Sequence, residues 1–284
     1  VAASETRTRV LVAIPGVLVA LGAIYLGGWF LAALLAVCAA LTAREMYRMA
    51  ARKAPRPLEV LGMAGAAAIV LAAAVEPRAG LGNTLPVWML ILLAAAAATA
   101  AIWTHGVEGE PLLSVAVTVF GAGYAALLGF GLLLRHLPRV DDPLHAAALL
   151  LSPVLLTWVS DSFAYFGGRA LGKNKLIPKV SPGKTVEGAV SAVVGTLLAG
   201  AAYSLVLARF GTYVPSIAEG AVFGLLVSVA AQAGDLAESL WKRDVGVKDS
   251  GTLLPGHGGA LDRFDSLLFT LPLGYAFFHL YVGP

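Results

Sequence analysis

A carboxylate inside an apolar run is costly in a membrane unless a cation answers it. This chain has one at Asp235, within AVFGLLVSVAAQAGDLAESLW. Glu238 and Ser239 follow at i+3 and i+4, on the same face of a helix. Both acids fall near the end of that run, where a helix C-terminus disfavours negative charge, so a cation is needed there. Lys242, four residues after Glu238, could serve it as an ordinary ion pair. Asp161 interrupts a second apolar run, LLTWVSDSFAYFGG. Asp262 and Asp265, three apart, open the last one. Acids suit helix N-termini, yet the preceding GHGGALDRFD is not an ordinary cap. Gly256, Gly258 and Gly259 allow close backbone approach to a ligand. His257 could donate to an anion, and Asp249 in KDSG adds another acid. With Lys242, Arg243, Lys248 and Arg263 interleaved, this grouping suits a metal–polyphosphate site: oxygen ligands for Mg²⁺, bases for phosphate oxygens. Zinc is not expected, because Cys38 is the single cysteine and His105, His136, His145, His257 and His279 are scattered.

A second polar segment reads DSFAYFGGRALGKNKLIPKVSPGKTVEG. Its SPGKT invites a phosphate-binding-loop reading, but position 178 holds Pro where that pattern needs Gly. It is better read as a basic loop carrying Lys173, Lys175, Lys179 and Lys184, with Lys184 and Glu187 opening the next helix. Ser181 and Thr185 are candidates to cap that helix.

The elements that must position these residues are membrane helices. Of 284 residues, 58% are hydrophobic and 13% charged, with a mean hydropathy of +0.81. Soluble domains carry about 25% charged residues. Disordered, collagen-like and disulfide-scaffold chains are excluded on the same grounds. Nine apolar stretches are expected to span a bilayer: roughly 10–26, 29–49, 58–75, 86–104, 112–136, 145–168, 184–209, 217–241 and 264–282. Gly27 and Gly28 divide the first two. The runs are continuously apolar, so an all-α polytopic fold is expected rather than a β-barrel. Polar Val1–Arg9 leads into two consecutive spans, so no cleavable signal peptide is expected. The expected division is 1–140, with about five spans, and 141–284, with about four and the cytoplasmic loops 169–184 and 242–263. With a cytoplasmic N-terminus, the inside segments hold 16 Lys and Arg and the outside ones 4, which supports that orientation and puts the C-terminus outside. The run at 44–56 is taken as one of these orientation signals. Residues 161–188 and 232–265 carry 17 of the 37 charges, both on the cytoplasmic side, so they are expected to share a site.

Ser239 to Asp265, SLWKRDVGVKDSGTLLPGHGGALDRFD, closely resembles the signature of phosphatidate cytidylyltransferases, the CDP-diacylglycerol synthases. Its fixed positions are Ser239, Lys242, Arg243, Lys248, Asp249, His257, Gly258, Gly259, Asp262, Arg263 and Asp265. Trp241 and Ala260 stand where that signature usually has Leu, Ile, Val, Met or Phe, and both changes are apolar. QAGDLAES and the 161–188 segment also look like the family's, whereas the N-terminal spans match in hydropathy alone. The resemblance implies that CTP and phosphatidic acid react to CDP-diacylglycerol and pyrophosphate with Mg²⁺ at a bacterial inner membrane. It implies Asp235 and Asp262 as metal ligands, with Asp265, Glu238 and Asp249 in support, and a second cation such as K⁺. Lys242, Arg243, Lys248 and Arg263 are then expected at the leaving pyrophosphate. Asp161, Lys173, Lys175, Lys179, Ser181, Lys184, Thr185, Glu187, Ser239, Gly258 and Gly259 are expected to bind substrate. Membrane lipid and a second copy of the chain are the expected partners, and nucleic acid is not. A CTP-dependent polyprenol or phytol kinase would share the nucleotide but move its γ-phosphoryl group. An ion-coupled transporter would also need intramembrane acids, though no convincing internal repeat is visible here.

Overall fold

The computed structural model describes residues 2–53, 56–79, 84–138, 140–211, 214–252 and 258–282. In chain order these form α1 (Ala2–Leu26), α2 (Gly28–Ala50), α3 (Glu59–Ala79), α4 (Leu85–Thr104), α5 (Pro111–Ala125), α6 (Phe130–Arg135) and α7 (Pro143–Leu171). Then come β1 (Lys175–Ile177), β2 (Ser181–Thr185), α8 (Val186–Leu207), α9 (Ile217–Asp244), α10 (Leu261–Phe264) and α11 (Leu267–Val282). A 3₁₀ turn over Ala126–Gly129 joins α5 to α6. Gly27 and Gly28 both take positive φ, 62° and 54°, and divide the first apolar stretch where expected.

The fold is all-α with one short antiparallel ribbon, β1 against β2. Every expected apolar stretch falls mainly on helix, the one at 112–136 being divided among α5, the 3₁₀ turn and α6. Among the described residues, six segments are long and apolar enough to cross a membrane: α2, α4, the α5–α6 segment, α7, α8 and α9. Among the described residues α1 and α3 contribute the apolar stretches Ile14–Leu26 and Glu59–Val75, and α11 has 16 residues.

The chain packs as two compact units, residues 1–133 with 244–264, and residues 134–243 with 265–284. The segment 244–264, expected with the C-terminal region, therefore packs with the N-terminal helices. In this first unit α2, α3 and α5 surround Tyr47, which is fully buried and donates its hydroxyl to the Thr118 carbonyl at 2.7 Å.

In the second unit α7 begins at Pro143, with Asp142 Oδ1 accepting from Leu144 N at 3.1 Å as its cap. Small buried hydroxyls link its neighbours: Thr157 to Thr270 of α11 at 3.1 Å and Ser160 to Ser228 of α9 at 3.0 Å. Without a hydrophobic drive between helices in lipid, such contacts and close packing hold them together. Gly234 provides the close approach nearest the chemistry: a Cβ there would stand 2.5 Å from the Asp265 carbonyl oxygen.

Candidate functional site

In the second unit the acids of α9 meet the basic ribbon. Lys184 of β2 reaches Asp235 Oδ2 at 2.7 Å, and Ser239 donates to Asp235 Oδ1 at 3.3 Å. Lys184 thus lies on the strand before α8 rather than opening the helix. Arg243, at the far end of α9, donates from Nε to the Val180 carbonyl at 3.2 Å. These two contacts fasten the ribbon to α9 and join the charged segment at 161–188 to the GDLAES run. Asp161 lies within electrostatic range of Asp235 and Lys184, and Asp265 within range of Asp235, Asp161 and Lys242. Glu238 is 1% exposed and paired with Lys242 at 2.5 Å, the ordinary ion pair that their spacing left open as an alternative. Asp265 Oδ1 also accepts from Ser266 N at 2.6 Å.

Thr185 caps α8 as expected, accepting from Gly188 N at 3.1 Å. Ser181 does not, because it pairs with Ile177 at the start of β2. Glu187 is engaged by the chain's own loop, accepting from Lys173 N at 3.0 Å, Asn174 N at 3.2 Å and Asn174 Nδ2 at 2.7 Å. Its carboxylate ties the turn after α7 to the first turn of α8, which leaves it less suited to a substrate. Lys173, Lys175 and Lys179 are exposed.

The first unit holds the other acid-bearing loop. Asp262 Oδ2 accepts from Gly259 N at 2.8 Å, Ser250 N at 3.0 Å and Ser250 Oγ at 3.0 Å. Gly258 takes φ +80°, and a Cβ there would stand 2.5 Å from the same oxygen. Behind this loop is Glu45 of α2, only 7% exposed, which the sequence reading passed over inside a basic run. Its carboxylate accepts from Ser250 Oγ at 2.8 Å, Ala260 N at 2.9 Å and Leu261 N at 2.9 Å. The signal available was the one that marked Asp235, an acid on the inward face of an apolar helix. A Cβ at Gly259 would overlap Glu45 Oε2 and Ser250 Oγ. Gly259→Ala should therefore lower stability by roughly 1–3 kcal/mol in thermal unfolding in detergent. Lys248, Asp249 and Arg263 are exposed. His257 lies outside the described residues.

Among the described residues no three His, Cys, Asp or Glu side chains stand close enough together to hold a metal ion. The charge balance nevertheless suits a cation. In the second unit the carboxylates of Asp161, Asp235, Glu238 and Asp265 gather with the two lysines Lys184 and Lys242, an oxygen-rich group of the kind that suits a divalent ion.

Fold and site together define a polytopic integral membrane protein with acids and bases gathered at helix ends and in two loops. The profile of the cytidylyltransferase family matches residues 7–281, and the chain belongs to that family. It is similar to a protein named phosphatidate cytidylyltransferase from Synechocystis, 35% identical over 287 residues that cover 95% of each chain. Proteins of the same name from Haemophilus influenzae and Brucella abortus are 44% and 42% identical, covering 50% and 63% of this chain. Those two matches span 49% and 65% of the relatives' own lengths, about half and just under two thirds.

Proposed function

We propose that the protein transfers the cytidylyl group of CTP to phosphatidic acid, giving CDP-diacylglycerol and pyrophosphate. The observation that carries this reading is the Lys184–Asp235 contact, which joins the two charged segments of the second unit beside a surplus of carboxylates. The name shared by the relatives supports it. The lipid phosphate is already an anionic nucleophile, so no side-chain nucleophile is required. Its oxygen attacks the α-phosphorus of CTP, and the bond to the β-phosphate breaks. Asp235, supported by Asp265, would hold Mg²⁺, which would offset charge on attacking and leaving oxygens when bound, and Asp262 is proposed as a metal ligand from its place in the signature. Lys184 neutralises Asp235 meanwhile. Lys242, Arg243, Lys248 and Arg263 are the bases we assign to the leaving pyrophosphate, and Lys173, Lys175 and Lys179 to substrate phosphates. We further propose nine spans in a bacterial inner membrane, with N-terminus and chemistry cytoplasmic, C-terminus outside, and a homodimer. The basic-residue asymmetry supports the orientation.

CTP carrying separate labels in its α- and γ-phosphates tests the reaction. With purified protein, Mg²⁺ and phosphatidic acid, the α label should enter the lipid and the γ label leave as pyrophosphate. Entry of the γ label into lipid would instead establish a kinase. Folded protein that produces no CDP-lipid would overturn the reading.

A further inference from the structure

The first unit contains a cavity of about 770 Å³. Its size falls in the range of small-molecule sites, about 300–1,000 Å³. One wall comes from α2 and the turn after it, with Arg44, Arg48 and Arg52 spaced four apart. The opposite wall is the segment at 247–252, with Lys248, Asp249 and Thr252. Arg44 and Arg48 share Glu59 Oε1, at 3.2 and 3.5 Å. Arg52 and Lys248 have no ion-pair partner among the described residues. Four bases line this space against two acids, Asp249 and Glu45, and the positive charge of Arg52 and Lys248 that no ion pair among the described residues answers favours an anionic occupant.

The sequence alone presents these arginines as an orientation signal, for which any cytoplasmic position would serve. The fold makes them more specific. Their cavity also takes in Glu45 and Ser250, and Ser250 donates to Asp262. The space therefore shares a wall residue with the loop that fixes a proposed metal ligand. Guanidinium groups match phosphate oxygens in bidentate geometry.

We propose that this cavity is a phosphate-ester subsite, with Arg52 as an anchor, receiving a phosphate of one of the two substrates. It deepens the cytidylyltransferase reading, and rests on that reading only for the choice between CTP and phosphatidic acid. The test begins with wild-type protein in detergent, without Mg²⁺, modified with phenylglyoxal and mapped by mass spectrometry. CTP and a short-chain phosphatidate are added in separate arms. One of them should slow modification of Arg52 by about fivefold or more, as burial in a charge-assisted contact requires. Arg56, outside the cavity, should be unaffected. Shielding by CTP assigns the nucleotide, and shielding by phosphatidate assigns the lipid head. If neither shields Arg52 relative to Arg56, the proposal fails.

Kinetics supply a second, independent reading. Arg52→Ala should raise KM for the shielding substrate about tenfold with kcat within about twofold, and Arg52→Lys should recover part of the loss. An unchanged KM for both substrates in active Arg52→Ala protein would overturn the subsite. Shielding needs no turnover, so shielding without CDP-lipid formation retains the subsite and refutes the activity. CDP-lipid formation without shielding does the reverse.

Discussion

Asp235→Asn and Asp262→Asn proteins should reach the membrane folded and release almost no pyrophosphate from CTP and phosphatidic acid. A bound metal ion would supply several kcal/mol of charge stabilisation to the transition state. Each 1.36 kcal/mol is tenfold in rate, so losing a charged ligand should cost roughly a thousandfold. The amide keeps the size of the carboxylate and removes its charge. At Asp262 the amide oxygen can still accept the bonds from Gly259 N, Ser250 N and Ser250 Oγ, so the loop should survive. At Asp235 the lost partner is a part-exposed Lys184, and that ion pair contributes about 1 kcal/mol or less. Pyrophosphate release and thermal unfolding measured on the same preparation separate the two effects. Near-full activity in either variant would remove that residue from the metal assignment.

Glu45→Ala should be the most damaging change outside the acids of the signature. It strips acceptors from Ser250 Oγ, Ala260 N and Leu261 N together. A buried donor left unsatisfied costs about 1–3 kcal/mol. The expected result is a fall in unfolding temperature together with loss of turnover, because Asp262 loses the backing of its loop. Glu45→Gln should be intermediate, since its amide nitrogen must face at least one N–H or O–H donor. Wild-type stability in Glu45→Ala would show that the three contacts are dispensable. Glu45→Asp is the useful companion, because it keeps the charge and withdraws it by one methylene.

Much of the architecture was legible in the sequence because membranes impose simple rules. Long apolar runs marked the helices, and two glycines marked the break at Gly27. The same reasoning found Asp235, since an acid in an apolar run stands out. It also kept the Glu238–Lys242 pair open as an alternative from spacing. It did not find Glu45, which lies among arginines, so its local sequence looks like a solvated basic face. Its partners lie 205 to 216 residues away. Nor could it know that Lys184 would neutralise Asp235, or that Glu187 would be taken up by Lys173 and Asn174. Those outcomes depend on how a short ribbon folds back between two helices, and no periodicity encodes that. The segment 244–264 was grouped by its place in the chain, whereas its packing follows its hydrogen bonds to α2.

The Glu45 contacts also set an order of events during synthesis. α2 is made early, and the backbone groups that Glu45 accepts from are made more than 200 residues later. At translation rates of about 5–20 residues per second, that interval is on the order of 10–40 s. Throughout it α2 carries a carboxylate whose final donors do not yet exist. Chains halted before Ala260 cannot complete the loop, so Glu45 stays without these backbone donors until the last segment is made.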